Sequence, residues 1–233
     1  MKVTLLGATG LTGAKVLEGL LARDDVSSVI VPVRRPLSLS HAKLEQHEVN
    51  FDHLDEYASL FDVDAIICCL GTTIKKAGSA EAFRKVDYGY GMKVAALGRA
   101  KGVKRFILMS AIAASPSSRV FYNRVKGELE ESVKALCFPY LSIYQPSLLL
   151  GERAEQRTVE ALGMKAMPLI NRALIGPLER FRAIEADTVA RAMVNEVGNL
   201  HTETSEIPLV RIHDYPDIVM LAQKNPGAKP RDS

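Results

Sequence analysis

Three polar residues near the middle of the chain have the types and the spacing of a proton-transfer site. Tyr122 and Lys126 lie four positions apart in a stretch with helical periodicity, so we expect both side chains on one face of a helix. A phenol is a poor acid at neutral pH unless a nearby cation lowers its pKa, which the Lys126 ammonium group can do. Ser110 precedes Tyr122 by twelve positions. Together they predict a phenol that exchanges a proton with a substrate oxygen, while the serine hydroxyl hydrogen-bonds the same oxygen.

These residues need a scaffold, and the sequence around them alternates short apolar runs with helical patterns. That alternation indicates a parallel β-sheet wrapped by helices, with right-handed crossovers. Ser110 closes the fifth predicted strand, and the Tyr122–Lys126 pair lies on the next predicted helix. The predicted strands are KVTLLG, SSVIVPVR, HEVNFD, DAIICCLG, KRFILMS and YLSIYQPSLLLG, and the predicted helices cover residues 12–22, 54–60, 79–101 and 120–136.

A glycine-rich turn follows the first predicted strand and opens the first helix. Gly7, Gly10 and Gly13 recur at intervals of three. In this context Gly7 permits the tight turn, Gly10 lets the backbone approach a pyrophosphate, and Gly13 lets the helix pack closely on the strand. The free N–H groups and the positive helix end then face the phosphates. The stretch predicts a dinucleotide site, the alternative being a purely structural turn. The predicted contacts include the intervening Thr9, Leu11 and Thr12.

The end of the second predicted strand indicates which dinucleotide is bound. A protein that selects NAD places Asp or Glu there for the ribose 2′-hydroxyl, but this strand ends in VPVRRP. Arg34 and Arg35 are permanently charged donors suited to a 2′-phosphate. They predict NADP(H), the alternative being that one or both simply face water. Asp52, after the third strand, is either an acceptor for the adenine amino group or a turn residue.

The glycine turn, the serine at the strand end and the Tyr–Lys helix together resemble the short-chain dehydrogenase/reductase superfamily over roughly residues 1–150. The segments CCLGTT, FRKVDYGY, LMSA and FYNRVKGELE resemble the HIV Tat-interacting protein branch of its atypical members. This resemblance implies a Rossmann fold that binds NADPH, with Ser110, Tyr122 and Lys126 as the catalytic residues.

The same resemblance implies further contacts where the fourth strand ends. Leu70, Gly71 and Thr72 then lie along the cofactor. Asp87 stands where many relatives carry Asn, a departure that puts in doubt a proton relay through this position.

Composition argues against several classes of protein. The net charge of the 233 residues is only +3 and no long basic run is present, so nucleic-acid binding is not expected. We also expect no membrane span, because no segment is long and apolar enough. Cys68, Cys69 and Cys137 lack metal-ligand spacing, which favours a cytoplasmic protein without a metal site. Cys68 and Cys69 lie in an apolar run and are expected to be buried free thiols, the alternative being a reactive pair. Lys75 and Lys76 either gate an anionic substrate or are solvated.

The predicted architecture is an α/β, Rossmann-type doubly wound parallel sheet with a small C-terminal cap. Residues 1–151 form the dinucleotide-binding core, and residues 152–183 form the cap over the substrate. Residues 184–222 return as a helix, a strand and a helix, with Asp187 capping the first of these, and residues 223–233 are a tail.

The function predicted from these features is an NADP(H)-dependent oxidoreductase that moves a hydride to or from a small carbonyl or alcohol substrate. The alternative is a non-catalytic NADPH-binding redox sensor or regulatory scaffold with a protein partner. Sugar-nucleotide epimerisation is less favoured, because the cap is short for a nucleotide sugar. The substrate stays open, as does the choice between a monomer and a homodimer.

Overall fold

A seven-stranded parallel β-sheet forms the centre of the fold. The structure is a computed structural model and describes residues 1–151, 174–198 and 208–224. The strand order is β3-β2-β1-β4-β5-β6-β9, so the order reverses between β1 and β4. The strands are β1 (Lys2–Leu6), β2 (Ser28–Val33), β3 (Leu44–Glu48), β4 (Ala65–Cys68), β5 (Arg105–Met109), β6 (Tyr140–Tyr144) and β9 (Leu209–His213).

Helices cover both faces of this sheet. They are α1 (Leu11–Leu21), α2 (Ile74–Ala77), α3 (Ala80–Arg84), α4 (Gly91–Ala100), α5 (Phe121–Lys134), α6 (Ala186–Gly198) and α7 (Tyr215–Gln223). Two 3-10 segments, Phe51–Phe61 and Gly176–Phe181, and one π-helical segment, Lys85–Tyr90, complete the described helical structure. No helix in these described ranges is long and apolar enough to cross a membrane.

Two hydrophobic cores explain why the central strands are almost wholly apolar. One core packs α1, α6 and α7 on one face of the sheet, and the other packs α4, α5 and the first 3-10 segment on the opposite face. Every residue of β2, β4, β5 and β6 is therefore buried, as expected for strands covered on both sides. The predicted doubly wound Rossmann-type sheet is confirmed.

The helix predicted over residues 79–101 contains a feature that periodicity did not predict. Helical structure runs from Ala80 to Ala100, but Lys85–Tyr90 forms a π-helical segment between α3 and α4. A π segment widens one turn and is often found at functional sites. It holds Asp87 in a buried position.

The predicted end of the third strand and the predicted cap of α6 were both wrong in position. The third strand ends at Glu48, because the Asn50 side chain accepts a hydrogen bond from the Asp52 N–H and starts the 3-10 segment. Asp187 does not cap α6 from outside. It lies in the first turn of the helix and forms an ion pair with Arg191 at 3.1 Å.

Two short strands pair in parallel at the two ends of the segment that was predicted to be a cap. Its strands are β7 (Leu149–Leu150) and β8 (Ile184–Glu185). Most of the predicted cap, residues 152–173, lies outside the described residues, as do residues 225–233 of the predicted tail.

Candidate active site

A cleft of about 720 Å³ opens at the carboxyl edge of the sheet, where the strand order reverses. This is the place at which open α/β sheets bind their ligands, and the volume is typical of a small-molecule site. Residues 9–13 form one wall, and Leu70, Gly71 and Thr72 line it beside the end of β4. Ser110, Tyr122 and Lys126 also line it. The fold thus brings the predicted glycine turn and the predicted proton-transfer residues to one cleft.

The glycine turn is shaped by backbone contacts that leave no space for side chains. Gly7 has φ +79°, and a Cβ there would lie 2.4 Å from the Cys69 carbonyl oxygen. A Cβ on Gly13 would lie 2.0 Å from the Gly7 carbonyl oxygen, which is closer than any real contact. Gly10 occupies the position before the first residue of α1, offers no side chain to cap it, and lines the cleft. Gly7 is not part of the cleft lining and acts by shaping the turn.

The amino end of α1 is suited to an anionic group. No side chain caps the helix and its first turn carries no acidic residue, so the first N–H groups are left for an external acceptor. Thr12 lines the cleft, and its Oγ1 is buried without a hydrogen-bond partner among the described residues. A buried hydroxyl without a partner is costly, and a phosphate at this helix end would satisfy it. The residues present therefore fit a dinucleotide.

Lys126 is held in the cleft by a buried ion pair. Its Nζ lies 2.8 Å from Asp87 Oδ1, and the two side chains are only 4% and 1% exposed. The Thr72 N–H donates to the other oxygen, Asp87 Oδ2, at 2.8 Å. Burial by itself would lower the pKa of Lys126, but the Asp87 carboxylate, together with Tyr122 and Cys68, outweighs it and the pKa lies above the ordinary value. Lys126 is thus a permanent cation, and Asp87 supplies its counter-charge.

Tyr122 is the most exposed of the three predicted proton-transfer residues, Ser110, Tyr122 and Lys126. It is 36% exposed, lines the cleft, and packs its ring against Phe83 with centroids 5.8 Å apart. Lys126 lies one turn further along α5 and interacts electrostatically with it. An exposed phenol beside a fixed cation is well placed to exchange a proton with a bound molecule.

Ser110 has a partner that the sequence did not predict. Its Oγ donates to Glu130 Oε1, and Gln145 Nε2 donates to both Glu130 oxygens at 3.0 Å. Glu130 is 3% exposed and does not line the cleft. Its position four residues after Lys126 on α5 was the available signal, because it extends the Tyr122–Lys126 stripe by one turn.

The loop after β5 is fastened to α5. Asn123 Nδ2 donates to the Ala113 carbonyl, and the Ser115 N–H donates to the Asn123 carbonyl, both at 3.0 Å. Gly127 allows this approach, since a Cβ there would lie 2.2 Å from the Ser115 carbonyl carbon. The serine strand end, its loop and the tyrosine helix therefore form one unit.

Several residues predicted by the sequence lie outside the lining of the cleft. Arg34 and Arg35 are exposed and directly follow β2, at the same sheet edge as the glycine turn. Asp52 is engaged elsewhere: its Oδ1 lies 2.6 Å from Lys85 Nζ and accepts from Tyr90 Oη at 2.6 Å. This ion pair and hydrogen bond fit the structural alternative for Asp52 better than adenine recognition.

The two predicted lysines, Lys75 and Lys76, are neighbours in α2 and both are exposed, but Lys76 lines the cleft and Lys75 does not. Cys68 in β4 is buried, which raises the pKa of its thiol to about 11, and burial raises the pKa of the cleft residue Cys69 as well. Both thiols are therefore protonated at neutral pH and poor nucleophiles.

A doubly wound parallel sheet with a glycine turn at its reversal point defines a nucleotide-binding Rossmann domain. The chain belongs to the NAD dependent epimerase/dehydratase family, whose model matches residues 3–232. It is 39% identical over 199 residues to Protein HTATIP2 from Rattus norvegicus, covering 84% of this chain and 80% of that protein. The predicted resemblance to the Tat-interacting protein branch is thus confirmed.

One fungal protein is similar over nearly the whole chain. Protein FMP52-1, mitochondrial, from Scheffersomyces stipitis is 37% identical over 238 residues, covering 96% of this chain and 100% of that protein. Among solved structures, the oxidoreductase ylbE from Lactococcus lactis has a TM-score of 0.66 at 20% identity, covering 96% of this chain and 95% of its own. A UDP-glucose 4-epimerase from Thermotoga maritima has a TM-score of 0.66 at 14% identity, covering 99% and 86%. These two structures share the fold.

The fungal relatives contradict the predicted cytoplasmic location. The proteins from Scheffersomyces stipitis, Meyerozyma guilliermondii and Aspergillus niger are all named mitochondrial. Free cysteines and the lack of a predicted membrane span were the basis of that prediction. Neither property distinguishes one reducing compartment from another, which is why the prediction was wrong.

Proposed function

We propose that the protein is an NADP(H)-dependent oxidoreductase that acts on a small carbonyl or alcohol substrate. The observation that carries this proposal is the shared cleft: an uncapped helix end and a buried, unpartnered threonine hydroxyl lie in the same cavity as an exposed phenol and a buried ammonium group. The first group of features suits a diphosphate and the second suits proton transfer at a substrate oxygen.

One group of residues in this cleft would bind the dinucleotide, and another would transfer a proton to or from the substrate. The N–H groups at the start of α1 and the Thr12 hydroxyl would hold the phosphates of the dinucleotide, which supplies the hydride when it is bound. Tyr122 donates its phenolic proton to the carbonyl oxygen during reduction and takes it back during oxidation. Lys126, kept charged by Asp87, stabilises the phenolate that remains. Ser110 holds the substrate oxygen.

Tyr122→Phe tests the proton-transfer role. We expect turnover to fall by about 10²–10⁴-fold, the usual contribution of a general acid, while NADPH affinity measured by fluorescence stays unchanged. The matched control is Tyr57→Phe, which removes a phenolic hydroxyl from a partly buried tyrosine outside the cleft lining and should leave the rate unaltered.

The measurement is NADPH depletion across a panel of aldehydes, ketones and the corresponding alcohols. Tight NADPH binding without turnover of any substrate in the panel would favour the redox-sensor or scaffold alternative and contradict the proposed enzyme.

The preference for the phosphorylated cofactor is supported by the position of Arg34 and Arg35. Both are exposed guanidinium groups directly after β2, the parallel neighbour of β1, and an acid at this place would be needed to select NAD. Replacing both by Ala is expected to weaken NADPH binding by about 10–100-fold, the loss of one or two charged hydrogen bonds, with NADH affinity unchanged.

Isothermal titration with each dinucleotide measures this effect. The control Arg99→Ala/Arg191→Ala removes two positive charges from helices outside the cleft lining and corrects for loss of general electrostatic attraction. Equal weakening of NADPH and NADH, or equal weakening in the control, would argue against a 2′-phosphate site at this arginine pair.

A further inference from the structure

Glu130 is a buried carboxylate, and Ser110 is its one hydrogen-bond partner that lines the cleft among the residues the structure describes. Glu130 is 3% exposed and lies behind the serine, which does line the cleft. Ser110 Oγ donates to its Oε1, and the Gln145 amide donates to both of its oxygens at 3.0 Å. All three side chains are therefore connected in one hydrogen-bonded group, and Ser110 is the member that faces a bound molecule.

The hydroxyl group of Ser110 has a single proton, and this limits what the serine can do. An ionised carboxylate only accepts hydrogen bonds, so it takes the serine proton in its own hydrogen bond. Ser110 then presents lone pairs to the cleft and repels a carbonyl oxygen. A protonated carboxyl group can donate to Ser110 Oγ instead, which frees the serine proton for the substrate oxygen.

We propose that Glu130 is a positioning residue that sets the direction of the Ser110 hydroxyl, and that its protonated form is the one that supports carbonyl reduction. This inference rests on the proposed oxidoreductase function. It adds a group that touches neither substrate nor cofactor and acts through the serine alone.

Burial and the groups around Glu130 act in opposite directions on its protonation, with a net shift toward the protonated form. Burial raises the pKa of Glu130, opposed by the hydrogen bonds from Ser110 and Gln145 and by Lys134, while Glu131 adds to the rise. Lys126, one turn away on the same helix face, is ion-paired with Asp87 from the π segment. Since the active form is the protonated one, the reduction rate is highest on the acid side and falls as the pH rises through this pKa.

Glu130→Gln tests the inference through the pH profile of kcat/KM for carbonyl reduction. The amide has nearly the same shape: its nitrogen can donate to Ser110 while its oxygen keeps one of the two hydrogen bonds from Gln145, so it supplies the donor of the protonated carboxyl group at every pH. In the wild type we expect a decline of about tenfold with rising pH, the contribution of one hydrogen bond to a developing charge. In Glu130→Gln this decline is absent, and the rate stays at its acid-side value until a later ionisation.

The matched control is Glu131→Gln, the same substitution at the adjacent, exposed position, which is expected to retain the wild-type profile. A Glu130→Gln enzyme with the wild-type decline, or one that is slow at every pH, would overturn the role given to Glu130 while leaving the oxidoreductase function intact. Absence of turnover in the wild type itself would instead refute the function and the catalytic role together.

A second measurement tests the Ser110–Glu130 link without turnover. Carbon-13 NMR of carboxyl-labelled glutamates follows the titration of Glu130, whose resonance is assigned by its disappearance in Glu130→Gln. The Ser110→Ala variant removes the donor to the ionised form and should raise the titration midpoint of Glu130 by about one pH unit. A midpoint that does not move would contradict the hydrogen bond on which the inference depends.

Discussion

Lys126→Met is expected to lower the free energy of unfolding by about 3–5 kcal/mol, the usual result of removing one partner from a buried ion pair. The substitution leaves the Asp87 carboxylate uncompensated in a position where its side chain is only 1% exposed. The single remaining described donor to this carboxylate is the Thr72 N–H. Urea unfolding measures the loss, and turnover is expected to disappear in parallel because Tyr122 loses its cation.

Two variants make this prediction specific. Lys93→Met breaks the Lys93–Asp55 pair, which has a distance of 2.6 Å but side chains that are 43% and 66% exposed, and such exposed pairs contribute little. Asp87→Asn combined with Lys126→Met removes both charges and should recover most of the lost stability, because it leaves no unpaired buried ion. If Lys126→Met cost no more than Lys93→Met, the pair would not be the buried anchor described above.

Gly13→Ala is the second substitution with a large expected effect. Its Cβ would lie 2.0 Å from the Gly7 carbonyl oxygen and 2.7 Å from the Gly7 carbonyl carbon, so the turn and α1 must move apart. Overpacking of this kind costs about 1–3 kcal/mol of stability. It also displaces the N–H groups that would hold the diphosphate, and we expect NADPH affinity to fall at least about tenfold, measured by fluorescence titration.

Gly89→Ala is the matched control for this substitution. Its Cβ would have its nearest neighbour, the Arg84 carbonyl oxygen, 4.0 Å away, and alanine is favoured over glycine in helices. It should leave affinity and stability unchanged or slightly improved. A Gly13→Ala protein that binds NADPH as tightly as the wild type would show that the turn is not the diphosphate site.

The sheet and its helices could be predicted because their signals are local. β4 and β5 are short apolar runs, and α5 has a regular helical pattern. The type of each element and the sequence of elements along the chain therefore follow from the hydrophobic pattern alone. The π-helical segment Lys85–Tyr90 could not be predicted in this way, because Val86, Tyr90 and Val94 keep a four-residue spacing through it and read as one continuous helix.

The candidate site was predictable only where its residues share an element or a strand end. Tyr122 and Lys126 are one turn apart, so their common face was expected. The contacts that set their charge and direction join residues from different elements: Asp87 is thirty-nine positions before Lys126 in the sequence, and Ser110 is twenty before Glu130. No local pattern encodes such pairs. The assignment of Arg34 and Arg35 to the 2′-phosphate stays a prediction.

The three polar groups Tyr122, Lys126 and Glu130 are carried by one helix, which also clamps the serine loop through Gly127. Because all three belong to α5, a movement of this helix shifts Tyr122, Lys126 and Glu130 together and leaves the distances between them unchanged. Substitutions at Leu149, which lines the cleft from outside this helix, can then change which molecules are admitted without altering the proton-transfer residues. Substrate selection and proton transfer then depend on different residues, so the substrate can change during evolution while the proton-transfer residues are retained.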